Sequence, residues 1–288
     1  MVRREFYRLI KSKSTLVIVV FVVICIVSFY FSLSEKQMFI DQLSSGAADL
    51  NIPVLQETID NYTGIRFVFD FWFVSDFFII SNIVLLLWLG IFLSANLQIQ
   101  NENGFGNLIV TRSGYKSYLY SIILSQTLYI FAVIAISTGL MVLIALFMGG
   151  VSFHFVQIGE YRLNLVGAIA TIVVQVILMS VYASLINAIC LVSNLWIRNI
   201  YVIQALPIVG FALLPLLLGS TIGNLSQIFA RIIIRYLPQE LFNSLQIMFD
   251  VHFQLSEIIL CLIPLITYVI LFALLYRFNA EKFSENYL

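Results

Sequence analysis

Charge is the scarcest property of this chain: Asp, Glu, Lys and Arg make up 10% of its 288 residues, against 61% apolar ones. Soluble domains carry about 25% charge and roughly 45–50% apolar residues. With a mean hydropathy of +1.01, the composition excludes a soluble fold and calls for a polytopic membrane protein. The three cysteines, Cys25, Cys190 and Cys261, all sit inside apolar runs, so neither a disulfide framework nor a zinc spacing is present. The two histidines, His154 and His252, are far apart in sequence. No His-Glu-x-x-His, Gly-x-Ser-x-Gly or Gly-x-x-x-x-Gly-Lys-Ser/Thr motif occurs, so the chain has no phosphate loop with which to bind ATP itself. No basic run invites nucleic acid. No Asp, Glu, Lys or Arg falls in the middle of an apolar stretch, where ion-coupled pumps and voltage sensors keep theirs. An intramembrane enzyme would need facing Ser–His, paired carboxylates or metal ligands, and none is found.

What the chain does have is apolar stretches long enough to cross a bilayer, which takes about 20 helical residues. They predict an all-α fold of six transmembrane helices in a single domain, with spans at 15–33, 77–97, 118–149, 163–193, 199–219 and 258–276. Before the first span, residues 2–13 place Val2, Phe6, Leu9 and Ile10 on one helical face, among Arg3, Arg4, Arg8, Lys11 and Lys13. The pattern suits a basic amphipathic helix lying in the headgroup plane; the plainer alternative is a charged flank that only orients the next span. A basic leader also resembles a signal peptide, but the run is too long and lacks a small-x-small cleavage site, so it is expected to be retained.

Residues 34–66 are polar and mostly acidic, and Arg66 to Phe78 is densely aromatic. Rings of this density fit a membrane interface, and carboxylates at mid-bilayer cost about 2.5–3.5 kcal/mol each. Asp70 and Asp76 are therefore expected near the surface, with a proton-relay pair as the sharper alternative. Glu160 and Arg162 are read as a short outer loop and Asn194 to Asn199 as an inner turn, while Pro207 and Pro215 are expected to kink the fifth span. Residues 220–256 read as a pair of short amphipathic pieces broken at Pro238, an outer re-entrant segment that dips in without crossing. Lys and Arg divide ten to five in favour of the side holding both termini, which places the N- and C-termini in the cytoplasm of a cell-membrane protein. Splitting the stretch 118–151 into two spans would flip everything downstream without changing that tally, so the C-terminal placement rests on the single-span reading.

The polar residues within spans are neutral: Asn82, Gln126, Gln175, Asn187 and Gln204. Hydrogen bonding between helices is their plain role; substrate contact is the alternative, with Asn82 and Gln204 the first candidates. The most distinctive stretch is the polar island 98–117, QIQNENGFGNLIVTRSGYKS. Asn101 or Asn103 can cap a helix start and Gly114 can stop one. Between them lie Glu102, Phe105, Leu108, Ile109 and Arg112, with Lys116 just beyond, which reads as a short helix with an apolar face offered for docking.

The basic N-terminal helix, the six spans, the island with its glutamate and the amphipathic segment before the last span together resemble the permease subunits of bacterial type-two ABC exporters. The likeness covers nearly the whole chain as an arrangement. As sequence it is specific only around E-N-G-F-G-N-L-I-V-T-R-S-G-Y-K, similar to that family's Glu-x-x-Gly-x-x-x-x-Leu followed by a basic turn. The glycines Gly104 and Gly106 fall off the family's register. The resemblance implies a homodimer or heterodimer of permeases in membrane lipid, each docked on a separate soluble ABC ATPase that binds ATP and Mg, with no cofactor in this chain. The coupling helix would anchor through Phe105, Leu108 and Ile109, with Glu102, Arg112 and Lys116 at its rim. Asn82 and Gln204 would face the path, and export of an amphiphilic peptide, drug or lipid-like substrate would follow. The alternative is a receptor or immunity protein that binds an extracellular peptide without moving it.

Overall fold

The computed structural model describes residues 1–45, 59, 63–102, 114–150, 155–158, 161–194, 196–197, 199–222, 232–242 and 255–286. Six helices in it are long and apolar enough to cross a membrane: Lys13–Ser44, Asp76–Gln100, Tyr115–Gly149, Leu165–Ser193, Ile200–Leu218 and Ile258–Phe278. The chain is a multi-pass membrane protein by that measure. In chain order the elements are α1 (Val2–Ile10), a tight turn at Lys13–Leu16 leading into α2 (Val17–Ser45), α3 (Gly64–Phe73), α4 (Asp76–Trp88) and α5 (Asn96–Glu102). Then come α6 (Tyr115–Gly149), β1 (Val156–Ile158), β2 (Tyr161–Leu163) and α7 (Leu165–Ser193). The chain continues through α8 (Ile200–Ile208), α9 (Leu214–Ile222), α10 (Pro238–Phe242) and α11 (Leu255–Asn286).

Local chemistry sets several boundaries. The Ser75, Asn164 and Asn199 side chains accept from the backbone amides of Phe77, Gly167 and Tyr201, so α4, α7 and α8 each begin with an orphan donor satisfied. The third span is bracketed by Gly114 and Gly150, at φ +76° and +84°, a left-handed geometry that suits glycine. Gly114, read from sequence as the stop of a loop helix, is the residue from which α6 starts.

Two spans are irregular. A π-helical turn at Leu89–Ser94 separates α4 from α5, and another at Val209–Leu213 separates α8 from α9. Pro207 lies one residue inside the end of α8. Pro215 is the second residue of α9. Because a proline has no N–H to give and its ring crowds the preceding turn, the irregular turn expected in the fifth span falls between the two prolines, directly before Pro215.

The aromatic segment turns most of its rings inward instead of laying them out as an exposed belt. Gly64–Phe73 folds as a helix packed against α2 and α6, with Phe67, Phe69, Phe71 and Trp72 buried. Phe67 meets Phe29 at 6.0 Å and Phe71 meets Phe21 at 5.9 Å. Gly64 and Gly149 let the backbones close: a β-carbon on either would strike the other helix. Rings concentrated at this density bury a large apolar area, and here they pack against the neighbouring helices. Asp70 stays only 24% exposed, in a 3.6 Å ion pair with Arg66.

The stretch expected as a plain loop around Arg162 instead holds an antiparallel hairpin that pairs Val156 with Leu163, Gln157 with Arg162 and Ile158 with Tyr161. Past the fifth span, α10 packs against α4 and α7. Leu241 and Phe242 are buried, and the Gln175 amide of the fourth span donates to the Phe242 carbonyl. Gln175 lies ten residues into α7, about 15 Å along a helix rising 1.5 Å per residue.

Candidate coupling site and the polar residues of the bundle

Most of the island lies outside the described residues: Phe105, Leu108, Ile109 and Arg112 fall within 103–113. What the structure does describe is the pair of roots from which that segment springs. Glu102 is the last residue of α5, and Lys116 stands exposed in the first turn of α6.

The two roots are joined through α1. Glu5 is buried although it lies in the most basic stretch of the chain, and a buried carboxylate needs a partner. Arg8, one turn on, supplies it at 2.7 Å. The same guanidinium donates to Asn96 Oδ1 at 2.8 Å, at the start of α5. Arginine offers only donors, so the Gln100 amide turns its oxygen toward Arg8, accepting at 3.1 and 2.5 Å, and donates to Tyr118 Oη at 2.7 Å. Tyr118 is on α6. Thus Glu5, Arg8, Asn96, Gln100 and Tyr118 form one polar knot linking the N-terminal helix to both helices that bound 103–113. Leu9 and Phe6 close its apolar side, with Phe6 edge-on to Tyr129 at 6.3 Å. Ser14 adds a further tie, its hydroxyl 2.8 Å from Tyr129 Oη and its carbonyl accepting from Trp88 Nε1 at 2.9 Å.

This changes the reading of the N-terminal helix. Val2, Phe6 and Leu9 turn toward the bundle, while Arg3, Tyr7, Ile10 and Lys11 face outward. The helical periodicity was legible; the burial of Glu5 was not, because one acidic residue among five cations reads as charge balance.

Higher in the bundle a second network crosses three spans. A π-helical turn displaces carbonyls from their usual partners, and in a membrane each must find another. Gln126 of α6 donates to the Leu93 carbonyl at 3.1 Å, and Asn194, just past α7, donates to the Ser94 carbonyl at 2.6 Å. Asn187 of α7 donates to Gln126 Oε1 at 2.7 Å and accepts from Ser94 Oγ at 3.3 Å. Gln126 and Asn187 stand out in the sequence as span amides; Ser94 and Asn194 do not, and nothing in the composition marks a π-helical turn.

The two proposed pathway residues differ. Asn82 is 2% exposed, and among the described residues neither of its amide atoms has a hydrogen-bond partner. Gln204 is half-buried, and its backbone carbonyl lies against Gly90 of the second span. The second and fifth spans therefore pack directly on each other.

At the opposite end of the bundle from α1, a cleft of about 420 Å³ opens between α2, α3 and the start of α4. Burial pushes the Asp70 carboxyl there up to about 6; Arg66 opposes the rise and Glu35 adds to it. No group of His, Cys, Asp and Glu among the described residues is arranged to hold a metal ion.

No protein-family model matches this chain, and neither a curated protein nor a solved structure matches it.

Proposed function

We propose that this chain is the permease subunit of an ATP-driven exporter, working as a dimer with a separate ATPase that docks on 103–113. The observation that carries the reading is the knot of Glu5, Arg8, Asn96, Gln100 and Tyr118. A loop that only reverses the chain has no need of a buried, charge-assisted network at its base. A loop that must pass a push from a soluble partner into two spans does, because force applied to a loosely rooted segment would be absorbed locally. In this reading the knot end faces the cytosol, as the Lys and Arg bias requires. Phe105, Leu108 and Ile109 seat in the ATPase, Glu102, Arg112 and Lys116 ring the contact, and ATP closure shifts α5 and α6 together. Asn82, a buried amide with nothing to bond among the described residues, is the first side chain that a polar group on the cargo would meet once the helices around it part.

The test is affinity purification of the tagged chain from its native membrane in mild detergent, with mass spectrometry of what accompanies it. A stoichiometric soluble protein carrying a phosphate loop, lost on Phe105→Asp together with Leu108→Asp, is the expected result. Recovery without an ATPase, or with one that both substitutions leave bound, overturns the coupling reading and favours a receptor.

A further inference from the structure

The cleft at the end of the bundle away from the knot has a lining that the exporter reading does not use. Span one contributes Ser28, Phe31, Ser32 and Glu35, α3 contributes Arg66 and Asp70, and the α3–α4 junction contributes Val74 to Phe77. Its volume, about 420 Å³, falls within the roughly 300–1,000 Å³ of small-molecule sites. Ser28 is fifteen residues beyond Lys13, where the span begins. At 1.5 Å per residue that is about 22 Å along the helix, and Glu35 is about 10 Å further, which brackets the far boundary of a hydrocarbon layer about 30 Å thick.

Two sides of the cleft have opposite chemistry. One is apolar and open: Phe31 and Phe77 stack at 5.6 Å, and Phe31 and Val74 are exposed. The other carries three carboxylates, Glu35, Asp70 and Asp76, with the guanidinium of Arg66 among them. The carboxylates are not gathered closely enough to hold a metal ion. Spread over a cleft of this size, beside an apolar wall of stacked rings, they match a larger and softer charge. We propose that the cleft binds an alkylammonium, with its cationic head among Glu35, Asp70 and Asp76 and its chain along Phe31, Val74 and Phe77.

A bound cation relieves the mutual repulsion of the carboxylates and favours the ionised form of Asp70. Binding therefore releases protons and weakens as the medium is acidified through about 6, where Asp70 takes up its proton. Among the described residues the charged groups that act on Asp70 are Arg66 on its own helix and Glu35 from span one, while Asp76 at the head of α4 lines the same cleft. The same head-and-chain chemistry occurs in a free cationic amphiphile and in a phosphatidylethanolamine of the membrane.

The full chain in uncharged dodecyl maltoside micelles is dialysed to equilibrium against dodecyltrimethylammonium at pH 7.5 and pH 5, with protein-free micelles subtracted and dodecyl sulfate as the anionic counterpart. One saturable site is expected for the cation and none for the anion, with affinity weaker at pH 5 by up to about tenfold, the most that one proton taken up at about 6 can give. Glu35→Gln with Asp76→Asn, both at exposed positions, weakens it tenfold or more while leaving the elution profile of the protein unchanged. Displacement of the probe by added phosphatidylethanolamine assigns the site to a lipid head; indifference to it assigns the site to a free amphiphile. Uptake no greater than that of empty micelles, or an affinity untouched by the double substitution, overturns the proposal. The result is independent of any ATPase, so loss of the exporter reading leaves this one standing.

Discussion

Gly90 of the second span and the backbone carbonyl of Gln204 in the fifth lie so close that a β-carbon at position 90 would overlap the carbonyl oxygen. Gly139 of the third span, by contrast, has nothing among the described residues within 4 Å of where its β-carbon would stand. The same substitution should therefore act with opposite sign. Gly90→Ala forces two helices apart and costs about 1–3 kcal/mol as overpacking. Gly139→Ala removes a helix-interior glycine and contributes about 0.5–1 kcal/mol. Thermal unfolding in detergent should show a lowered midpoint for the first and an unchanged or raised one for the second.

The network around the π-helical turn predicts a coupling. Asn187→Leu leaves Gln126 Oε1 buried without its donor, and Gln126→Leu leaves the Leu93 carbonyl without one. Each orphaned buried group costs about 1–3 kcal/mol. The double substitution removes both amides at once, so its loss should be smaller than the sum of the two single losses, as denaturant titration of the four proteins would reveal. Strict additivity would mean that the two amides do not act as a pair.

The spans were legible because hydropathy is a local property and a bilayer demands about 20 apolar residues in a row. Pairings were not, because a side chain's partner depends on how its helix is rotated. Gln126 and Asn187 were visible as amides, yet their sharing of one carbonyl-rich turn was not. Asp70 was expected near the surface; its helix is buried on the ring-bearing faces, and the carboxylate keeps a partial exit toward the cleft. The docking residues Phe105, Leu108, Ile109 and Arg112 lie outside the described segment, so sequence pattern remains their only support.

Asp70 also predicts a pH dependence. Its carboxyl rises on folding from the ordinary 3.8 to about 6, so the folded chain binds a proton that the unfolded chain has released between those values. This contribution is fully present below about 4 and is lost as the pH climbs through 6. The shift of about two units bounds it at about 3 kcal/mol. Asp70→Asn should flatten this part of the stability profile, with the wild type losing ground to the variant between pH 4 and 7. Parallel profiles would show that Asp70 does not titrate in this range.

The knot at the base of the island gives the most direct test of how α1 serves the fold. Arg8→Met keeps the stem that lies against the bundle but leaves Glu5 buried without its cation and Gln100 without its donors. Stripping one partner from a buried pair costs about 3–5 kcal/mol. The 43% exposure of the Arg8 side chain places this case at or below the bottom of that range. Glu5→Gln in the same chain removes the stranded charge, so the double variant should recover part of the loss in melting temperature. If the knot also holds the roots of 103–113, trypsin should cut after Lys116, exposed on the first turn of α6, several times faster in Arg8→Met than in the wild type. The double variant should restore stability more fully than protection, because an uncharged amide at position 5 cannot hold Gln100 and Asn96 as the guanidinium does. Equal cleavage rates in all three chains would separate α1 from the island altogether and leave the ion pair as a device of stability alone.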